Sequence, residues 1–240
     1  MRLDQYLVEQ HLVESRTKAQ ALIRSGNVLI NEKVCDKPGM QVKGSPCVRL
    51  RVKPSKYVSR GGIKLEAALQ NFDFDPKGMT IADLGASTGG FTDCLLQHGA
   101  KKIYAIDVGY GQLAWKIRQD ERVIVMERTN VRKIESLPEN MDGLVGDLSF
   151  ISLTKVIPAM KRITKPFAEA VLLIKPQFEA GLGQTSKGLI KNNKIRQKAI
   201  ENVIHSFTSS GLMVLNQMSS PLAGAKKGNI EHLIHLRFPQ

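Results

Sequence analysis

The chain has little cysteine, no long apolar run and a shortage of negative charge. Its three cysteines, Cys35, Cys47 and Cys94, are an odd number and include no C-x-x-C pair. That argues against a disulfide framework or a structural zinc and leaves ordinary thiols of a reducing compartment. No apolar stretch approaches the ~18 residues of a membrane helix. The opening Met-Arg-Leu-Asp-Gln-Tyr-Leu-Val-Glu carries charge where a signal peptide needs an apolar core. A cytoplasmic protein with no stable membrane association is expected. Internal repeats and low-complexity tracts are missing too. Against 35 Lys and Arg there are only 22 Asp and Glu, a net charge of +13 with a pI near 9.8. That excess points to a polyanionic partner, nucleic acid ahead of a membrane surface, although a basic surface also serves solubility alone.

What is present is ordinary in amount and uneven in distribution. The 240 residues are 42% hydrophobic and 24% charged, enough for a real core in one or two domains. Residues 1 to 60 hold 12 Lys or Arg against 5 Asp or Glu, while the rest hold 23 against 17. In the short part, Leu3, Leu7 and Leu12 open an apolar pattern. Ser15 reads as a helix N-cap, with Ala19, Leu22 and Ile23 on one face and Gly26 at the stop. Asn27–Asn31 reads as a strand, followed by a turn at Asn31-Glu-Lys33. In Cys47-Val-Arg-Leu-Arg-Val52 the alternation points Val48, Leu50 and Val52 inward. Lys53-Pro-Ser-Lys56 reads as a linker.

This part resembles the S4 RNA-binding domain, through Arg2-Leu-Asp4, Leu7, Ser15-Arg-Thr-Lys-Ala-Gln-Ala-Leu-Ile23, Gly26 and Val28-Leu-Ile-Asn31. The resemblance implies a small α+β domain over residues 1–56. Its basic flank (Arg2, Arg16, Lys18, Arg24, with Arg60 beyond the linker) would lie along RNA phosphates. A solvated helix face is the bland alternative.

Residues 57–240 alternate strand and helix. Apolar strands fall near 79–84, 102–107, 123–127, 143–148 and 169–175. A helix over 152–164 should kink or begin late at Pro158. A helix over 194–209 and strands near 212–218 and 230–238 follow. The order predicts a doubly wound α/β sheet with an antiparallel edge. Its first turn, Asp83-Leu-Gly-Ala-Ser-Thr-Gly-Gly-Phe-Thr92, is a strand, a glycine turn and a helix start. Gly85, Gly89 and Gly90 let backbone approach a ligand. Asp107 follows the second strand, 22 residues after Gly85, where a carboxylate can take two ribose hydroxyls. The unit reads as a pocket for an adenosine-bearing cofactor.

A dinucleotide needs a bare backbone at the middle glycine of G-x-G-x-x-G, and Ser87 stands there. The turn has no cation, and acidic Asp83 lies beside it. S-adenosylmethionine, with a sulfonium and no phosphate, suits that charge better than NAD. Gly85-Ala-Ser-Thr-Gly89 also satisfies the G-x-S-x-G nucleophile elbow, with Asp147 and then His232 or His235 in the order a hydrolase requires. That reading gives Asp83, Asp107 and the lysines no role. A tight turn with no ligand is the plainest alternative.

Four polar positions fall at element ends: Lys64 at the start of a helix, Asp147 ending the fourth strand, Lys175 ending the fifth and Glu231 opening the last. With Lys64 in Tyr57-Val-Ser-Arg-Gly-Gly-Ile-Lys64, the chain resembles the TlyA family, an S4 domain joined to an FtsJ-like ribose 2′-O-methyltransferase. Further blocks are Gly85–Leu96, Ala105–Lys116, Arg128-Thr-Asn130, Asp147–Leu153, Lys175-Pro-Gln-Phe-Glu179 and Gly228-Asn-Ile-Glu231. Together they span essentially the whole chain. Gly146 departs from the larger apolar residue usual before the aspartate. The resemblance implies a Rossmann-like methyltransferase that modifies cytidine 2′-hydroxyls of ribosomal RNA with S-adenosylmethionine and no metal. Lys64, Asp147, Lys175 and Glu231 would be catalytic. Asp107 and Asn130 would contact adenosine, with Asp83, Gly85, Ser87, Gly89 and Phe91 shaping the rest of the cofactor pocket.

The chemistry agrees. A ribose hydroxyl must lose its proton as it attacks, and a lysine accepts one only as the neutral amine. A second lysine, a sulfonium and desolvation by RNA favour that form, whereas Asp147 and Glu231 oppose it and serve to orient the amines. Lys175 is assigned as base, with Lys64 positioning the hydroxyl. Two other classes stay open: an RNA-binding or ribosome-associated module without catalysis, and a membrane-active haemolysin, a label carried by relatives.

Overall fold

In the computed structural model, which describes residues 1–13, 15–44, 46–51, 56–181, 183–224 and 228–240, the chain divides into Met1–Ser55 and Lys56–Gln240. The first unit holds α1 (Leu3–Glu9), α2 (Arg16–Arg24), β1 (Val28–Ile30), β2 (Lys33–Cys35) and β3 (Val48–Leu50). Ser15 is extended, and its Oγ accepts from the Lys18 backbone N–H at 3.3 Å, the expected cap. β1 is the central strand, antiparallel to both β2 and β3. β2 was not expected from the sequence. It exists because Asn31 and Glu32 both turn left-handed, at φ 49° and 66°, and fold Lys33–Cys35 back on β1. Leu3, Leu7, Ala19, Ile23 and Val28 form the core, and Val48 and Leu50 pack against it. Leu12 lies beyond the end of α1 yet reaches the same core. Val52 and the linker residues 53–55 lie outside the described residues.

The second unit begins at Lys56, which pairs with Glu66 and lies 5.2 Å from the Tyr57 ring centroid. It holds α3 (Gly61–Phe72), β4 (Thr80–Leu84), α4 (Gly90–Gln97), β5 (Lys102–Ile106), α5 (Trp115–Arg118) and β6 (Val123–Met126). Then come β7 (Met141–Gly146), α6 (Ile157–Ile163), β8 (Thr164–Ile174), α7 (Pro176–Glu179), α8 (Asn193–Ser209), β9 (Met213–Ser219) and β10 (His232–Arg237). The sheet order is β6-β5-β4-β7-β8-β10-β9. β4 to β8 run parallel, and β10 inserts antiparallel between β8 and β9. This is the doubly wound sheet with an antiparallel edge that the sequence predicts.

All five β4 residues are buried, as a central parallel strand covered on both faces requires. Leu65, Ala68 and Phe72 of α3 and Leu95 of α4 belong to one apolar layer. Met160 and Ile163 of α6 with Val203 and Phe207 of α8 belong to the other. α6 does begin late: Leu153–Val156 forms a 3-10 turn, and Pro158 sits in the helix's first turn, where its missing N–H costs nothing. β8 starts at Thr164, five residues before the predicted strand. At Gly146 a Cβ would lie 3.0 Å from Leu172 Cδ2, so neighbouring side chains fill the space a larger residue would take. From β4 the chain winds outward to β5 and β6, then returns to β7 on the other side. The carboxyl ends of β4 and β7 therefore flank the crevice where this class of sheet binds ligands.

Candidate active site

That crevice is a cavity of about 690 Å³ lined by Gly85, Ser87, Asp107, Asn130, Asp147 and Ser149 among others. A smaller pocket of about 150 Å³ adjoins it, lined by Ser59, Phe91 and Lys175 among others. Gly85, Ser87, Asp147 and Ser149 line both, so they mark the junction. Gly85 has φ 85°, and a Cβ there would come within 3.2 Å of the Asp147 carbonyl oxygen. Only glycine allows that approach. Ser87 is itself left-handed, at φ 49°. Its N–H donates to Asp107 Oδ2 at 2.8 Å, and the Gly109 N–H donates to Oδ1 at 2.7 Å. The carboxylate is thereby fixed at the end of β5.

Lys175 sits one residue past β8, and its Nζ lies 2.5 Å from Asp147 Oδ1. That contact is electrostatic: Oδ1 makes no aligned hydrogen bond. The directed bonds of Nζ go to Ser149 Oγ at 2.7 Å and the Asp147 carbonyl at 3.3 Å. Lys64, in the first turns of α3, donates to Glu231 Oε2 at 2.5 Å, both residues being buried. β10 pairs His232 with Ile174, and one further step of that register sets Glu231 opposite Lys175. The fold thus gathers all four charged positions, two of them on the pocket wall and two sealed beside it.

Asp83 lies beneath the glycine turn at 0% exposure and lines neither cavity. Thr92 Oγ1 donates to its Oδ2 at 2.6 Å, and Oδ1 has no hydrogen-bond partner among the described residues. Burial pushes its carboxyl up to about 7; the Thr92 bond opposes this, and the negative charge of Asp147 and Asp107 adds to it. Three carboxylates crowd one turn, and a positively charged ligand would relieve them. Gly89 also stays off the cavity wall: a Cβ there would meet Leu113 Cδ1 at 2.8 Å, so its role is packing. Phe91 does line the smaller pocket, and Asn130 the larger.

The hydrolase geometry does not form. Ser87 Oγ bonds to Gln112 Oε1 at 3.3 Å. His232 Nε2 meets Gln217 at 3.0 Å and His235 Nε2 meets Glu169 at 2.8 Å, so neither histidine is engaged with the serine. Sequence reasoning missed Ser149 and Ser59. Ser149 could have been found two residues after Asp147 in Gly-Asp-Leu-Ser-Phe, and Ser59 immediately before Arg60.

In the first unit, Asp4 is fully buried and accepts from Arg2, Arg16 and Gln20 at 2.8 to 3.1 Å. The Arg2 bonds, aided by Gln20 and Arg16, hold it far below the ordinary carboxylate range against the cost of burial. Arg2 and Arg16 therefore serve structure on one side while their side chains stay 42% and 50% exposed. Arg24 and Arg60 are exposed, and Lys18 is partly so.

The FtsJ-like methyltransferase family matches residues 57–238, and the S4 domain family matches residues 1–45. The chain is 43% identical to hemolysin A of Brachyspira hyodysenteriae, covering 98% of this chain and 99% of that one. It is 40% identical to the 16S/23S rRNA (cytidine-2′-O)-methyltransferase TlyA of Mycobacterium tuberculosis, covering 98% and 89%. A solved structure from Streptococcus thermophilus, provisionally named a hemolysin, superposes with a TM-score of 0.78 at 40% identity, covering 100% and 89%. No helix among the described residues is long and apolar enough to cross a membrane.

Proposed function

The chain belongs to the TlyA family, an S4 domain joined to an FtsJ-like methyltransferase, and from that premise we propose that it methylates the 2′-hydroxyl of cytidine in ribosomal RNA. Residues 1–56, through Arg2, Arg16, Lys18 and Arg24, would hold RNA phosphates, as would Arg60 beyond the linker, and residues 57–240 would carry the chemistry. The reading rests above all on Lys175, on the wall of the smaller pocket, meeting Asp147 and Ser149 at the junction of two cavities. The crowded carboxylates and the absence of a cation from the glycine turn suit S-adenosylmethionine. Asp107 and Asn130 would hold its adenosine, and Ser87 and Phe91 its methionine end, with Asp83 acting by charge from beneath.

Bound there, S-adenosylmethionine supplies an electrophilic methyl whose bond electrons stay with sulfur. Lys175 takes the proton of the ribose hydroxyl as that oxygen gains the methyl. Asp147 holds the amine near the junction. Lys64, held by Glu231 beside the pocket, would act on the reacting oxygen only through its charge and not by contact.

Ribosomal RNA from cells with and without this gene, compared by mass spectrometry, tests the reading. One or more ribose methyls should vanish from cytidines in the deletion strain, and purified protein with labelled donor should restore them. Intact methylation together with RNA binding would support a non-catalytic module. Lysis of red cells by purified protein without methyl transfer would support the haemolysin reading.

A further inference from the structure

We infer that Ser149 is the positioning residue that aims Lys175, an inference that rests on Lys175 acting as the base. The ion pair with Asp147 brings the amine to the junction but does not orient it, because Oδ1 is close without alignment. Direction comes from hydrogen bonds, which weaken steeply off axis. Of the two that Nζ makes, the 2.7 Å bond to Ser149 Oγ is short and the 3.3 Å bond to the Asp147 carbonyl is long. The neutral amine has two N–H groups and one lone pair. With its hydrogens on Ser149 and the carbonyl, the remaining tetrahedral position is the lone pair, which receives the hydroxyl proton and becomes the third N–H. Without Ser149, rotation about the Cε–Nζ bond is opposed only by the long bond.

Ser149 is itself held in place. Asp147 N–H donates to the Leu84 carbonyl at 3.1 Å, anchoring the segment to β4. At its far end the Leu153 N–H donates to Glu179 Oε1 at 2.9 Å, tying it to α7, which directly follows Lys175. The rings of Phe150 and Phe178 meet at a tilt of 44° across the same two segments, with centroids 5.0 Å apart. The serine and the lysine are thus carried on two segments that are cross-linked after their bond and paired before it, where Gly146 of β7 lies opposite Leu172 of β8.

Ser149 also accepts from the ammonium form, so it favours that form over the neutral amine. Its removal should therefore have two effects that simple loosening would not combine. The single-turnover methylation rate should fall about 10²-fold from lost alignment. The acidic limb of its pH profile should move to lower pH. The experiment measures single-turnover transfer to deletion-strain ribosomal RNA across pH, with S-adenosylmethionine affinity by calorimetry, for wild type, Ser149→Ala, Ser149→Thr and Lys175→Ala. Ser149→Ala should be slow with a shifted limb and wild-type cofactor affinity, and Ser149→Thr, which keeps the hydroxyl, should recover rate and profile. A Ser149→Ala enzyme with wild-type rate, or a slow one with an unmoved limb, overturns the inference while an inactive Lys175→Ala leaves the base assignment standing. Full activity in Lys175→Ala removes the base assignment itself.

Discussion

Two lysines meet two carboxylates at the same 2.5 Å distance, yet the pairs differ in what surrounds them. Lys64 and Glu231 keep 8% and 3% of their side-chain surface, whereas Lys175 and Asp147 keep 11% and 24% and stand on a cavity wall. A sealed pair exchanges nothing with substrate, so breaking it strands a charge. An open pair can trade its partner for an arriving hydroxyl. The same contact is therefore framework in one place and, on the proposed function, would be reagent in the other.

The sharpest way to break this contrast is Lys175→Ala. Methyl transfer should fall about 10²- to 10⁴-fold, the usual contribution of a positioned acid or base, with melting temperature and cofactor affinity nearly unchanged. The sealed pair should behave the opposite way. Glu231→Gln strands the Lys64 ammonium and should cost about 3–5 kcal/mol of stability, read by denaturant unfolding. Lys64→Met with Glu231→Leu should recover most of that stability but not activity. Should either single change in the sealed pair prove harmless to folding, the distinction collapses.

Asp107→Ala removes acceptors from the cavity proposed to hold the cofactor. It should weaken S-adenosylmethionine binding roughly 10- to 100-fold by calorimetry, the loss of a charge-assisted bond. Asp83 gives a smaller effect with a definite sign. Its folded value is raised from 3.8 to about 7. Between those values the folded chain keeps a proton that the unfolded chain has released, so stability falls as pH rises through that window. Asp83→Asn should flatten this dependence, with melting temperatures converging at pH 4 and the variant higher at pH 8. Least of all, Arg24→Gln and Arg60→Gln should each lower the slope of log RNA affinity against log salt by about 0.7–0.9 if each meets a phosphate.

Much of the site was legible because strand ends are legible. A run such as Met79–Leu84 can be only a buried strand, and the glycines after it can be only a turn. Asp107, Asp147 and Lys175 follow by counting to the ends of the next strands. Lys64 and Glu231 were singled out with Asp147 and Lys175 as one set by chain order and family resemblance, but their pairing and its sealing depend on β10 lying beside β8, which no local pattern encodes. Ser149 was overlooked because a serine after a strand is usually just a loop residue; only its distance to Nζ distinguishes it. Asp83 was read as lining the pocket, since sequence gives proximity to a turn and not the side of it. β2 escaped notice because two left-handed non-glycine residues make its turn, where sequence rules look for glycine.

The insertion of β10 between β8 and β9 also dictates the order in which the molecule can become active. Lys64 and Glu231 are 167 residues apart, and the strand carrying Glu231 follows every other strand of the sheet during synthesis. Until it arrives, β8 has an open edge and Lys64 has no counter-charge. Such distant pairings form slowly and late. A nascent chain can therefore present its basic N-terminal unit before Lys64 meets Glu231, and on the proposed function its affinity for RNA would mature ahead of the power to modify it.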